Sequence, residues 1–254
     1  NQKAPRQRSY QNVIAIRQNI KNWNWSVDVF HRISQNQIEN IINASFSQKG
    51  NWENSIISGG VGRAYGVEFY VSKKINDFNV SASYNLSKSE RKFETLNRGQ
   101  WYPYTYDRRH DVSLLLSYKI NKKWDVSMTW AYGSGRPFTK SDLIYPSLGL
   151  VDYYKDKSEE SNFLNSSNQQ IQYFEQRNNK KLRAYHHLDI GANYKWQKGK
   201  WKQSVNLSLY NVYNHKNVFT LFDKTSGVGE NMRFKYQSLT LLPLLPSFSY
   251  AIGF

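Results

Sequence analysis

The chain has 254 residues, with 35 Lys and Arg against 19 Asp and Glu, a formal charge of +16 and a mean hydropathy of −0.75. It holds no apolar run of the about 18 residues that a helical membrane span needs, but a membrane barrel, whose strands alternate and whose loops are polar, is not excluded. Zero cysteines exclude a disulfide framework and a thiolate metal site, while 19 Tyr, 13 Phe and 8 Trp are more rings than most soluble cores of this length absorb.

The positive charge raises nucleic acid as a partner, yet Lys and Arg are scattered through turns and loops rather than gathered on one segment. No nucleic acid is therefore expected. Residues 1–9 are polar and basic, without the apolar core of a secretory leader, which points to a mature protein or a piece of a longer one.

Taken in chain order, period-2 alternation predicts strands and helical periodicity is nearly absent. Strands are expected over 9–18, 23–35, 64–74, 78–88, 108–120, 124–134, 185–196, 201–222 and 234–254. In the fifth, Val112, Leu114, Leu116 and Tyr118 share one face, with Ser113 and Ser117 on the other. Large residues lie on one face and small polar ones opposite, over the about ten residues that a tilted strand needs to cross a bilayer. Two strands are too long for that, with a bulge expected near Asn211–Asn217 and a break at Pro243–Pro246.

The connections divide by length. Short turns fall near 19–22, 75–77, 121–123 and 197–200; long connections fall near 36–62, 89–107, 137–183 and 223–234. Short turns on one side and long loops on the other are the outer-membrane barrel pattern, with the short side periplasmic. Trp23, Trp25, Phe78, Trp124, Trp196 and Trp201 flank the short turns and form a candidate periplasmic-side aromatic belt. Nine is an odd count for a bacterial single-chain barrel, so the chain is read as one incomplete domain, 1–254, that needs further strands to close.

Three groups of residues are singled out. Arg98, Trp101, Tyr102, Tyr104 and Tyr106 crowd one extracellular loop, and rings beside donors suit sugars, peptides or aromatic chelates as well as self-packing. Asp107, Arg109 and Asp111 share lumen parity and are expected to form a charge ladder, whereas Arg108 and His110 have the opposite parity. Phe248, Tyr250, Ile252 and Phe254 alternate along the last strand as a candidate assembly signal, an aromatic edge able to pair with another sheet edge. His186 and His187 face opposite ways and make a poor metal pair. No constellation for catalysis, metal or cofactor is found.

Four segments then carry a resemblance: Tyr106-Asp107-Arg108-Arg109-His110-Asp111, Trp130-Ala131-Tyr132-Gly133-Ser134-Gly135-Arg136-Pro137, Leu209-Tyr210-Asn211-Val212-Tyr213-Asn214, and Leu241-Leu242-Pro243-Leu244-Leu245-Pro246-Ser247 leading to a terminal Phe. In order and spacing, over roughly residues 60–254, they resemble the C-terminal half of TonB-dependent transporters, particularly the SusC-like receptors of Bacteroidetes. The resemblance implies an all-β, antiparallel transmembrane β-barrel of about 22 strands around a plug, of which this chain supplies about nine C-terminal strands and no plug. It implies a bacterial outer-membrane location and active, TonB-coupled import of a large nutrient such as a glycan, peptide or metal chelate. The implied partners are outer-membrane lipid and lipopolysaccharide, the remaining N-terminal barrel and plug, TonB, a SusD-like surface lipoprotein and the barrel-assembly machinery. A receptor-like barrel serving as a structural subunit, without import, is the alternative; a basic soluble β-protein is the second.

Overall fold

The computed structural model describes residues 6–41, 55–146, 170–226 and 233–254. Nine long strands make one antiparallel wall: β1 (Arg8–Ile20), β2 (Trp23–Asn40), β3 (Ile56–Ile75), β4 (Phe78–Lys92), β5 (His110–Lys119), β6 (Trp124–Gly133), β7 (Tyr185–Lys198), β8 (Trp201–Tyr210) and β9 (Leu245–Gly253). Each pairs with the next in chain order, the up-and-down meander of an all-β barrel wall. A two-residue strand, Tyr102–Pro103, adds to the end of β4 above β5. Among the described residues no helix is long and apolar enough to cross a membrane, which says nothing about crossing by strands.

Register carries the alternation of single strands around the whole wall, because directly paired residues project to the same side. One row runs Ile16, Val27, Phe69, Tyr84, Val112, Tyr132. The row below it runs Trp25, Val71, Ala82, Leu114, Trp130, Leu188. The opposite face reads Asp28, Glu68, Asn85, Asp111, Gly133, Tyr185 and, next to it, Ser26, Tyr70, Ser83, Ser113, Ala131, His187. A barrel turns its apolar face to lipid and its polar face to the lumen. Only Phe93 and Tyr102 form a buried apolar core among the described residues, while rings and aliphatics such as Ile14, Phe69 and Phe248 are exposed on the outer face.

The turns are made by residues that tolerate left-handed backbone. Lys21 and Asn22 both have positive φ, 47° and 67°, as a two-residue turn matched to strand twist requires. Asn76 and Gly199 do the same in the second and fourth turns.

The last two expected strands need correction. The segment expected over 201–222 stops at Tyr210, and the one expected over 234–254 yields a wall strand only from Leu245. Between them stands a separate hairpin, Val218–Ser226 paired with Arg233–Thr240. The fourth long connection therefore spans 211–244 rather than 223–234. The cause is Asn211, fully buried with φ 53°. Its side-chain amide donates to the carbonyls of His215 (2.9 Å) and Leu242 (3.2 Å), and its Oδ1 accepts from the His215 N–H (2.9 Å). Asn214 Oδ1 accepts from the Leu244 N–H at 3.1 Å. The two asparagines thus end β8 and set the start of β9 with one knot, which explains the Asn-aromatic-Asn spacing.

Among the described residues β1 pairs only with β2 and β9 only with β8, so both outer edges of the wall are open. Phe248, Tyr250 and Ile252 lie on the apolar side of β9, opposite Leu207, Val205 and Gln203 of β8, and the Phe254 ring lies 5.6 Å from Trp201, edge to face. If this strand is the assembly signal, deleting Phe254 is expected to lower folded outer-membrane protein several-fold, read as the heat-modifiable band on an immunoblot. Unchanged levels would remove that role.

Candidate functional site

Two polar clusters sit on the lumen face where the long connections rise. The upper one is built on β2, β4 and the two loops that lean against them. Glu39, near the end of β2, accepts from Arg91 of β4 (3.1 Å) and from Arg177 of the longest connection (3.3 Å). These three side chains are only 10–15% exposed, and the Tyr102 hydroxyl donates to the same carboxylate at 3.4 Å. Burial pushes the Tyr102 hydroxyl well above the ordinary phenol range, and the Glu39 charge adds to it.

Neighbouring amides finish the knot. Asn97 Oδ1 accepts from the Arg177 N–H at 2.8 Å, and buried Asn178 donates to the Pro103 carbonyl at 2.7 Å. Phe93 closes the floor, its ring lying over Gly60, where a Cβ would collide with it. The β4–β5 loop and the longest connection are thereby held as one piece against the ends of β2 and β4. The Arg91 guanidinium lies 3.8 Å from the Tyr104 ring, and Tyr106 stands edge-on to Tyr104 at 5.3 Å with 67% of its surface exposed. The mouth therefore presents one free aromatic face braced on a ring that a cation already covers.

The outer side of the same loop carries a different set. Arg63 stacks on Trp101 at 4.2 Å and pairs with Glu90 at 2.8 Å, and Lys88 meets Glu90 at 2.6 Å. Burial raises the Glu90 pKa, but the hydrogen bonds and charges of Lys88 and Arg63 outweigh it, so the carboxyl stays below the usual range.

The lower cluster joins β5, β7 and β8. The hydroxyls of Tyr185 and Tyr210 are 3.0 Å apart, and the His187 ring lies 5.4 Å from the Tyr185 ring and 4.8 Å from the Tyr210 ring. His187 Nδ1 is 2.8 Å from Asp189 Oδ1, which also accepts the Asn211 backbone N–H at 2.9 Å. A carboxylate on one ring nitrogen fixes the imidazole's orientation and holds its tautomer. Arg108 adds a guanidinium 5.2 Å from the Tyr185 ring and 3.6 Å from Asp111. The cluster offers phenol, imidazole and guanidinium donors on the lumen side.

The candidates read from sequence are placed as follows. Tyr106 and Tyr104 stand at the mouth as described, whereas Tyr102 is 1% exposed and serves as the loop's core, not as a contact for ligand. Its strand pairing with Arg91 turns it inward. Trp101 lies against Arg63 on the outer side, and Arg98 reaches only Glu175, at 3.8 Å and almost fully in solvent.

The expected ladder of Asp107, Arg109 and Asp111 does not form. Asp107 is buried and accepts the Ser89 N–H at 2.6 Å; Asp111 pairs with Arg108; Arg109 makes no ion pair among the described residues. Strand geometry begins only at His110, so the alternation does not extend back to residues 107–109, and Arg108 folds lumenward over Gly133. His110 keeps the outer side, 2.8 Å from the Tyr84 hydroxyl. Trp23, Trp25, Phe78, Trp124, Trp196 and Trp201 all share the apolar face near the short turns, with ring contacts Trp124–Tyr194 (4.7 Å), Tyr194–Trp196 (5.3 Å) and Trp196–Tyr250 (6.3 Å).

Glu39, Arg91, Arg177, Tyr185 and Asp189 are not among the residues that the sequence marks. Tyr185, His187 and Asp189 share lumen parity two residues apart on one strand, a signal that was there to use. Nothing local marks Arg177, which lies in an aperiodic connection 138 residues from its carboxylate partner.

The geometry meets known proteins at this point. The family model for the TonB dependent receptor-like β-barrel matches residues 7–214. No curated protein matches the chain. Among solved structures it is similar to the ferric-catecholate import receptor Fiu of Escherichia coli K12, at 14% identity and a TM-score of 0.52 over 97% of this chain and 27% of that one. It is also similar to BauA, the ferric preacinetobactin receptor of Acinetobacter baumannii, at 10% identity and a TM-score of 0.54, over 96% and 29% of the two chains. The FrpB iron transporter of Neisseria meningitidis gives 12% identity and 0.54, over 98% and 32%. The chain thus spans about three tenths of the length of these structures, and at such identities the likeness is one of fold. With its meander, its two-faced register and a family match over most of its length, the chain belongs to the TonB-dependent receptor-like β-barrel family.

Proposed function

We propose that this chain forms part of the wall and mouth of an outer-membrane active-transport receptor of the SusC-like type. It would import a nutrient too large for simple diffusion pores (a glycan, a peptide or a metal chelate) with energy coupled through TonB. The observation that carries the reading is the mouth. Two loops are fixed over the lumen against the ends of β2 and β4 by the Glu39–Arg91–Arg177 knot, and they hold out the Tyr106 face rather than burying it. Fixed aromatic surface beside guanidinium groups suits ring-bearing or anionic ligands, because little side-chain freedom is lost on contact. Membership of the family supports import as the outcome, the four sequence segments support the SusC-like type, and a SusD-like surface lipoprotein is then an expected partner. The remaining barrel, the plug and the assembly machinery are partners on the same footing.

The test is growth of a strain lacking the gene on limiting glycan, peptide or ferric chelate, each as sole source. Loss of growth on one class, restored by the intact gene, supports import and names the class. Normal growth on every class, with folded protein present in the parent, would overturn it and favour a structural subunit. Within the complemented strain, Tyr106→Ala is expected to weaken capture of that nutrient by roughly tenfold, the effect of about 1.5 kcal/mol for one lost ring contact. Uptake at low and saturating concentration separates this loss of affinity from loss of transport.

A further inference from the structure

The short-turn end of the wall has a charge pattern that import does not explain. Residues 19–23, 73–79, 118–125 and 195–203 hold ten lysines, no arginine and two acids, Asp77 and Asp125. Lys21 lies in the first turn, and Lys73 and Lys74 precede the second. Lys119, Lys122 and Lys123 surround the third, and Lys195, Lys198, Lys200 and Lys202 the fourth. All but Lys73 are exposed. Asp125 is engaged with Lys195 at 2.8 Å, and no other ion pair forms at this end among the described residues. The opposite end differs, since Arg63, Arg91, Arg108 and Arg177 there are matched with Glu90, Glu39 and Asp111.

Three features point to the occupant. The lysines recur at every turn, two strands or about 10 Å apart, and so cover about 30 Å of arc instead of one compact patch. Lys21, Lys122, Lys123 and Lys200 lie in the turns, and Lys73 and Lys198 share the outward parity of Trp23 and Trp201, whereas Lys74, Lys119, Lys195 and Lys202 have lumen parity. The first six stand beyond the outward rings of Trp23, Phe78, Trp124 and Trp201, the depth at which a bilayer's headgroups follow its aromatic belt. Lys73 shows the outward placement in detail, its Nζ lying 4.3 Å from the Trp23 ring centroid. A long stem with a terminal ammonium reaches from that belt to a phosphate while keeping its methylenes in apolar surroundings.

We infer that the short-turn rim selects anionic phospholipids of the inner leaflet, each turn holding their phosphate headgroups in the annulus around the barrel. The inference rests on the outer-membrane reading, but not on import. A lysine near a membrane surface favours an anionic headgroup by roughly fivefold, so a rim of lysines of which only Lys195 is ion-paired among the described residues produces a measurable selection.

The test uses the full-length protein in bilayer discs with equal phosphatidylglycerol and phosphatidylethanolamine, followed by mass spectrometry of the lipid that copurifies. Phosphatidylglycerol is expected to be enriched severalfold. The enrichment should fall towards unity in the quadruple variant Lys21→Gln, Lys122→Gln, Lys198→Gln, Lys200→Gln, and be retained when the same four are changed to arginine. Inorganic phosphate should compete no better than chloride at equal ionic strength, because the acyl chains keep the headgroup in place. No enrichment in the parent, or unchanged enrichment in the glutamine variant, would overturn the inference. Loss of enrichment to phosphate alone would also overturn it, since the rim would then be a free-anion site. Heat-modifiable migration confirms that each variant is a folded barrel, and uptake is scored separately, so failure of import leaves the lipid result readable.

Discussion

Leu114→Arg is expected to destabilise the folded barrel by about 2–4 kcal/mol, while Ser113→Arg, one residue away, is expected to cost little. Leu114 lies mid-strand on the apolar row between Ala82 and Trp130, where a guanidinium would face hydrocarbon. Ser113 lies between Ser83 and Ala131 on the polar row, where the added charge meets lumen water and the carboxylates of the same face. Reversible urea unfolding of the full-length protein into lipid vesicles measures both. Equal effects at the two positions would overturn the assignment of faces on which the whole description of the mouth depends.

Glu39→Ala is expected to have the largest effect on the loops. It leaves Arg91 and Arg177 buried without their shared carboxylate, and breaking a buried pair in this way costs about 3–5 kcal/mol. Arg177 Nη1 already has no partner among the described residues, so it has nothing to fall back on. The wall itself should stay folded, since its register is fixed elsewhere. The loss should appear as faster amide exchange and proteolysis in residues 173–182 and 93–107, with weaker nutrient capture. Adding Arg177→Ala to Glu39→Ala should recover part of the loss, because an orphaned charge is more costly than a missing pair. If the double variant is merely additive, the knot is not the device that holds the loops.

These expectations draw unequally on sequence and structure. Local alternation was enough to place the wall strands, to separate lipid-facing from lumen-facing residues and to tell short turns from long connections. The reason is physical: in a single-layer wall each residue's exposure follows from its own parity, with no second layer to override it. Parity failed where the strand had not begun. Arg108 looked outward and turned inward, and the supposed ladder through Arg109 dissolved because Asp107 was needed to cap the Ser89 amide.

The ends of β8 and β9 are likewise not legible in the alternation. An apolar hairpin standing above the rim alternates just as a wall strand does, and only the buried Asn211 amide separates the two. The mouth lay furthest from view. Glu39 and Arg91 come from the ends of β2 and β4 and Arg177 from the longest connection, and no period links residues that meet only because the sheet brings its strand ends and loops together. The division between wall and mouth is therefore one of contact range: parity acts over two residues, while the carboxylate that ties the loops must wait for the sheet to form.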